Sequence, residues 1–268
     1  MMAAAEYVWR DVARVRATSP LVHNITNFVV MNNTANALLA IGASPVMAHA
    51  IDEVEEMVGH ASALVINIGT LSAPWIVAMR IAGQAAFARG IPIVIDPVGS
   101  GATHYRTHTV MQLLMSFTPT VIRGNASEIR SLALADATTR GVESTCSSLE
   151  ALSAARQLAL QYGCVVSVSG VVDIIVDGER DARVHNGHSL MKRVTGMGCT
   201  ATALTGAFAA VSDSPFEAAV SAMATNGMAG EMAATSATGP GTFQSAFLDA
   251  LYSMSAQQDA HRLRVDES

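Results

Sequence analysis

Charge is scarce in this chain. Lys and Arg number 16 and Asp and Glu 22 among 268 residues, 14% in all, where a soluble domain typically carries roughly 25%. The formal net charge is −6 and no basic tract interrupts it. Nucleic-acid binding is not expected, because phosphate neutralisation needs clustered Lys and Arg. A local basic site for one small phosphate ligand stays open. Cysteine is scarce too: Cys146, Cys164 and Cys199 are odd in number and show no paired spacing, which argues against a disulfide framework or a zinc site and fits a reducing cytoplasm. The N-terminal stretch lacks the uninterrupted apolar core of a signal peptide. Ala17 to Ile51 contains no charged residue, yet it carries Asn24, Asn27, Asn32, Asn33 and Asn36 with Pro20 and Pro45. Five amides in lipid would each need a partner, so no membrane span is expected there. Beside a buried ligand the same amides would be useful.

What the chain does have is apolar material: half its residues are hydrophobic. That excludes disorder, collagen, coiled coil and a disulfide mini-protein, and the length suits one large α/β domain or two small ones. Little charge on a soluble chain also hints at surface hidden between subunits.

Short β-branched runs alternate with longer Ala/Leu/Met-rich segments. Strands are expected at 63–68, 91–95, 120–122 and 164–168, with helices over 76–89 and 149–162 that stop at Gly90 and Gly163. This alternation indicates βα units and a mostly parallel sheet. Asp173 to Val176, a turn at Asp177-Gly178 and then Arg183 to His185 reads as an antiparallel hairpin. Three helices are expected after it, running from Thr195-Gly-Met-Gly-Cys199 to Val211, over 215–234 and over 243–257.

Several strand ends carry polar residues or glycine: Asn67-Ile-Gly-Thr70, Asp96-Pro-Val-Gly-Ser-Gly101 and Arg123-Gly-Asn-Ala-Ser-Glu128. Ligands of open α/β sheets bind outside the carboxyl ends of the strands, although an Asp or Asn there also serves as a turn former or helix cap. Asp96 and Glu128 are the carboxylates best placed for Mg²⁺, a hard cation that in nucleotide sites needs only one or two of them. Glu128 would equally suit the start of a helix. Gly196 and Gly198 before an apolar helix let successive N–H groups converge on a phosphoryl oxygen, aided by the helix dipole. This is not a Walker A loop, since Gly-Lys-Ser is missing. Cys199 falls in the first turn of that helix, where a thiol pKa is expected to be lowered; as a small buried hydrophobe it would be inert. Cys146 and Cys164 lie in ordinary surroundings.

These residues belong to longer blocks: Ser19-Pro-Leu-Val-His-Asn-Ile-Thr-Asn27, Ala40-Ile-Gly-Ala-Ser-Pro-Val-Met47, Ile66-Asn-Ile-Gly-Thr70, Asp96-Pro-Val98, Arg123 to Ile129, Thr195 to Cys199 and Gly239-Pro-Gly-Thr-Phe243. Ordered in this way from about Ser19 to about Tyr252, they resemble the hydroxyethylthiazole kinase family of the ribokinase-like superfamily. The resemblance implies a single α/β kinase domain over 1–268 with a mostly parallel, helix-flanked sheet and a small antiparallel hairpin. It also implies transfer of the γ-phosphoryl of ATP, with Mg²⁺, to the primary alcohol of 5-(2-hydroxyethyl)-4-methylthiazole in thiamine salvage, by a homotrimer with sites between subunits. Residue by residue, it implies that Met47 and Gly196 contact the thiazole, with Asn24 in the same substrate-side block. It places Arg123 on the ATP phosphates and Ser169 on ATP, and makes Asn125 to Glu128 the element that governs Mg²⁺. Gly196, Gly198 and Cys199 form the anion hole. Ser169 stands where the family usually has Thr, Met197 where Thr is frequent, and Cys199 where much of the superfamily has Asp as base. A thiolate is a weak base for an alcohol, and a loose transition state does not require early deprotonation, so Cys199 is expected to assist or position the hydroxyl. The runner-up is a nucleotide-dependent dehydratase of hydrated nicotinamide cofactors, which Cys199 speaks against. A kinase for another small heterocyclic alcohol or a sugar, and a non-catalytic ATP-binding regulator, are further alternatives.

Overall fold

The computed structural model describes residues 3–140 and 148–268. Cys146 lies outside the described residues. Helix α1 (Ala4–Thr18) precedes β1 (Leu21–Ile25), α2 (Met31–Ile41), β2 (Ser44–Val46) and α3 (Val54–His60). The central repeat follows: β3 (Ala63–Asn67), α4 (Ala73–Arg89), β4 (Ile93–Asp96), α5 (His104–Ser116), β5 (Val121–Asn125), α6 (Ala126–Arg140), α7 (Ser148–Tyr162) and β6 (Val165–Ser169). The hairpin strands β7 (Asp173–Val176) and β8 (Asp181–Val184) lead to α8 (Met197–Ala209), α9 (Pro215–Ser236), α10 (Pro240–Ser253) and β9 (Val265–Glu267).

The nine strands form one sheet in the order β2-β1-β3-β4-β5-β6-β7-β8-β9. Pairing is parallel from β2 through β6 and antiparallel from β6 to β9. The α/β class, the parallel core and the hairpin are as the sequence indicates. β1, β2 and β9 are additions: β1 is broken by His23 and Asn24, and β2 and β9 are three residues each, too short for a periodicity signal. The charge-free stretch 17–51 turns into β1, the eleven-residue α2 and β2. Among the described residues no helix is long and apolar enough to cross a membrane.

Both faces of the sheet are covered, which is why its strands read as nearly continuous apolar runs. One face packs against α1, α2, α8, α9 and α10, the other against α3 to α7. On the first face the strands share a frame. Val65, Val94, Val121 and Val165 make one buried row, and two residues further on each strand turns polar: Asn67, Asp96, Arg123 and Ser167. Register aligns this second row. Asn67 pairs with Asp96, Arg123 pairs with Ser167, and the Val94–Val121 pair puts Asp96 level with Arg123. Helix α8 lies over both rows at close range: a Cβ on Gly206 would come within 2.6 Å of Val65. Thr200 through Phe208 are all buried, so the Ala/Thr-rich sequence of α8 is what a helix pressed into the core requires. The fold thus delivers four polar strand positions and one helix N-terminus to the same place.

Candidate functional site

Arg123 is the centre of that place. The residue is 6% exposed, and among the described residues its side chain forms no ion pair within 4 Å and no hydrogen bond; its Nε is buried without a partner. Buried cations are normally paired, so an unpaired guanidinium at a strand end is a site built for an anion. The start of α8 presses against it: a Cβ on Gly198 would stand 2.9 Å from Arg123 Nη1. Gly196, the N-cap, has φ of +83°, and a Cβ there would meet Val30 at 2.7 Å. Gly196 is therefore dictated by its backbone angle, whereas a side chain at Gly198 would displace the Arg123 guanidinium. Thr200 N–H is the one that reaches back, to Gly196 O at 2.8 Å, so the N–H groups of Met197, Gly198 and Cys199 are open for a ligand.

Arg123, Gly196 and Gly198 line a cleft of about 1010 Å³, together with Ser169, Asp173 and Lys192. Lys192 is the only lysine of the chain. Ser169 closes β6 and donates to Gly124 O at 3.4 Å. Asp173 accepts the Gly170 N–H at 2.9 Å, and burial pushes its carboxyl up to about 6. The cleft has the size of a small-molecule site, and Arg123, Lys192 and Arg193 line it.

Asp96 is 2% exposed. Its Oδ2 accepts from Thr202 Oγ1 (2.8 Å) and Asn67 Nδ2 (2.9 Å), and among the described residues Oδ1 takes no hydrogen bond. Burial pushes the carboxyl up to about 6, against the pull of Arg123 and of the two hydrogen bonds, with Glu128 adding to the rise. Glu128 is differently engaged. Oε1 accepts Gly99 N–H and Oε2 accepts Asn125 N–H, both at 2.8 Å, while Asn125 Oδ1 accepts Glu128 N–H at 2.9 Å. Asn125 and Glu128 thus cap α6 reciprocally, and Glu128 also ties down the loop after β4. Among the described residues no group of three or more His, Cys, Asp or Glu could hold a metal ion. The donor set, one open carboxylate oxygen and one carboxylate occupied by N–H groups, suits a hard cation completed by phosphate and water.

Cys199 is half-buried at the head of α8. Its expected low pKa is corrected by the structure. Burial and the Asp96 carboxylate push the thiol up to about 11, against hydrogen bonds from Asn67 and Asn27 and the charge of Arg123. Desolvation outweighs position at a helix start. Cys164 is buried and pushed up to about 12 by burial alone.

On the substrate side, Asn24 lies within β1, level with Val65, and is 1% exposed. Its Nδ2 donates to Val22 O at 2.9 Å and its Oδ1 is buried without a partner. It is Asn27, two residues beyond β1, that reaches Cys199, with Nδ2 3.5 Å from Sγ. Met47 follows β2, half-buried, and does not line the cleft around Arg123. Nearby, Phe28, His49 and Trp75 stack, with ring centroids 4.6 Å (Phe28–Trp75) and 4.5 Å (His49–Trp75) apart. Phe28 and Val29 are 65% and 62% exposed, an apolar surface beside Asn27. Two residues of the site escaped sequence reasoning. Asn67 was visible only as a strand end. Arg106, in α5, donates to Ile68 O, Gly69 O and Val98 O at 2.6–3.1 Å and staples the loops after β3 and β4; nothing in its sequence context marks it.

Residues 12–257 match the model of the hydroxyethylthiazole kinase family. The hydroxyethylthiazole kinase of Nitratidesulfovibrio vulgaris is 55% identical over 98% of this chain and 99% of its own length. The solved structure of the hydroxyethylthiazole kinase protein from Pyrococcus horikoshii superposes with a TM-score of 0.90 at 44% identity, covering 98% of this chain and 99% of that one. The pyridoxal kinase of Staphylococcus aureus shares the fold, with a TM-score of 0.60 over 80% of this chain and 88% of its own, at 17% identity.

Proposed function

Because the chain belongs to the hydroxyethylthiazole kinase family, we propose that it transfers the γ-phosphoryl group of ATP to the primary alcohol of 5-(2-hydroxyethyl)-4-methylthiazole, as a cytoplasmic enzyme of thiamine salvage built as one kinase domain over residues 1–268. The observation that carries this is Arg123, a buried cation that forms no close ion pair or side-chain hydrogen bond among the described residues, set against the open N-terminus of α8. Phosphoryl transfer passes through a loose transition state, so positioning and charge neutralisation dominate.

Arg123 and Ser169 hold ATP in the cleft. The N–H groups of Met197, Gly198 and Cys199 receive the phosphoryl oxygens as charge spreads over them. Mg²⁺ would be held by Asp96 and Glu128, and when bound it would supply charge neutralisation at the phosphates. The thiazole alcohol approaches from the β1–β2 side, where Met47, Gly196 and the block containing Asn24 form the acceptor subsite. Cys199, between the two halves, orients the hydroxyl. At neutral pH its thiol is protonated, so it does not remove the hydroxyl proton ahead of P–O bond formation. Exposed Phe28 and Val29 beside Asn27 suit a subunit boundary that completes the acceptor subsite in a homotrimer.

ATP turnover measured with the thiazole alcohol, with a hydroxymethylpyrimidine and with no acceptor tests this. The thiazole alcohol is expected to raise turnover at least about a hundredfold over no acceptor, on the order of 2.7 kcal/mol of barrier, and over the pyrimidine by a clear margin. Equal turnover with the pyrimidine, or dehydration of a hydrated nicotinamide cofactor in place of phosphoryl transfer, would overturn it.

A further inference from the structure

A line of buried amides runs under Cys199. Asn67 Nδ2 donates to Asp96 Oδ2 at 2.9 Å, Asn27 Nδ2 donates to Asn67 Oδ1 at 2.8 Å, and the same Nδ2 stands 3.5 Å from Cys199 Sγ. We infer that Asn67 is a positioning residue for phosphoryl transfer, which together with Asn27 fixes the sulfur of Cys199 as a hydrogen-bond acceptor from the protein and so leaves its S–H to face the acceptor alcohol. The inference rests on the placement of Cys199 at that alcohol.

The polarity of the line is set by its neighbours. Asn67 Oδ1 also accepts Gly69 N–H at 2.9 Å, and Asn27 Oδ1 accepts Val29 N–H at 3.2 Å. A flipped Asn67 would set its amino group against the Gly69 N–H and the Asn27 amino group, and its carbonyl against the Asp96 carboxylate. A flipped Asn27 would set its amino group against Val29 N–H and two carbonyl oxygens against each other. Each amide therefore has one orientation, and both point their donors toward the carboxylate and the sulfur. Space enforces this as well: a Cβ on Gly69 would fall 2.6 Å from Asn27 Nδ2, so glycine is needed there for the amide to lie in place. Asn67 is 1% and Asn27 4% exposed, and hydrogen bonds so sheltered hold their geometry better than wet ones. A sulfur that receives an N–H on one side has its proton turned to the other. Asp96 anchors the far end of the line.

A purely structural Asn67, one that only ties β1, β3 and β4 together, would give the same static picture. A double-mutant cycle separates the two. Acting through Cys199, Asn67→Ala should lower kcat about tenfold in the native chain, with KM for ATP little changed, and by less than about twofold in a Cys199→Ala background. An independent readout is the rate of iodoacetamide alkylation at the peptide carrying Cys199. Asn67→Ala and Asn27→Ala should each change it about three- to tenfold in the same direction. An equal loss of kcat in both backgrounds, with alkylation unmoved, would overturn the inference and leave Asn67 as a structural tie. Should Cys199→Ala itself keep full kcat, the placement of Cys199 at the alcohol falls and the inference falls with it, by a result distinct from the first. Asn67→Ser, which offers an oxygen to Gly69 N–H but is too short for Asn27, carries the same cycle if the alanine variant does not fold.

Discussion

At Cys199 a helix start and a buried environment act on one thiol in opposite directions, and burial prevails at about 11. A thiol whose pKa is raised stays neutral through the ordinary working range, so the enzyme is expected to run on the protonated form. Between pH 7.5 and 9.5 the kcat profile should then be nearly flat; a climb of about tenfold per pH unit toward 11 would mean that the thiolate does the work. Consistent with a positioning role, Cys199→Ser should lose about ten- to a hundredfold in kcat, roughly 1.4–2.7 kcal/mol of barrier. Cys199→Asp, whose carboxylate accepts from Asn27 as the sulfur does, should remain active. A serine variant that binds ATP and the thiazole normally and shows no detectable turnover would reverse that ranking. The sequence marked Cys199 by its place after two glycines; its pKa was beyond it, because the shift depends on burial, on the charge of Asp96 and on the amides of Asn67 and Asn27, which other segments supply.

Capping sets the behaviour of the Asn125–Glu128 element. The sequence offered two roles for Glu128, metal site and helix start, and the geometry shows the second: both carboxylate oxygens receive N–H groups, from Gly99 and from Asn125. Glu128→Gln keeps only one acceptor oxygen. It should cost about 1 kcal/mol of stability by chemical denaturation, and it should lower kcat far more than it weakens thiazole binding. Near-full activity at limiting Mg²⁺ would rule out any part for this carboxylate in the metal site. The parallel strands were legible at this scale because their frames repeat: Val65-Ile-Asn67, Val94-Ile-Asp96 and Val121-Ile-Arg123 each end a buried run on a polar residue. Strand β5 was expected to stop at Ile122 and continues to Asn125, since its last three residues, Arg-Gly-Asn, carry no apolar or β-branched signal and do not read as strand. β9, with sequence Val-Asp-Glu, carries no apolar alternation at all, and its existence follows from pairing with β8.

For the whole molecule, the low charge content is explained in part by the core, where nearly all of α8 and much of α9 is buried. Phe28 and Val29 are among the exposed apolar residues, which also include Leu39, Met115, Leu160, Val171 and Tyr252. Sedimentation at assay concentration should give a trimer, and an active monomer would contradict a site shared between subunits. The placement of the cleft at the carboxyl ends of the parallel strands was readable from the strand ends. The contacts of Asn67 and Arg106 were not, since Asn67 meets Asn27 and Asp96, and Arg106 meets the Ile68, Gly69 and Val98 carbonyls, all from other segments of the chain.

Phosphoryl transfer at Arg123 is the claim on which the rest depends, and Arg123→Met tests it most directly. Methionine fills the space without the charge, and it leaves no unpaired cation behind. The turnover of the thiazole alcohol at saturating ATP should fall by about a thousandfold or more, the order expected when a cation facing the transferred group is lost, while the thermal unfolding midpoint stays within a few degrees of the parent's. A variant that turns over within about tenfold of the parent would show that the transferred phosphoryl group lies elsewhere.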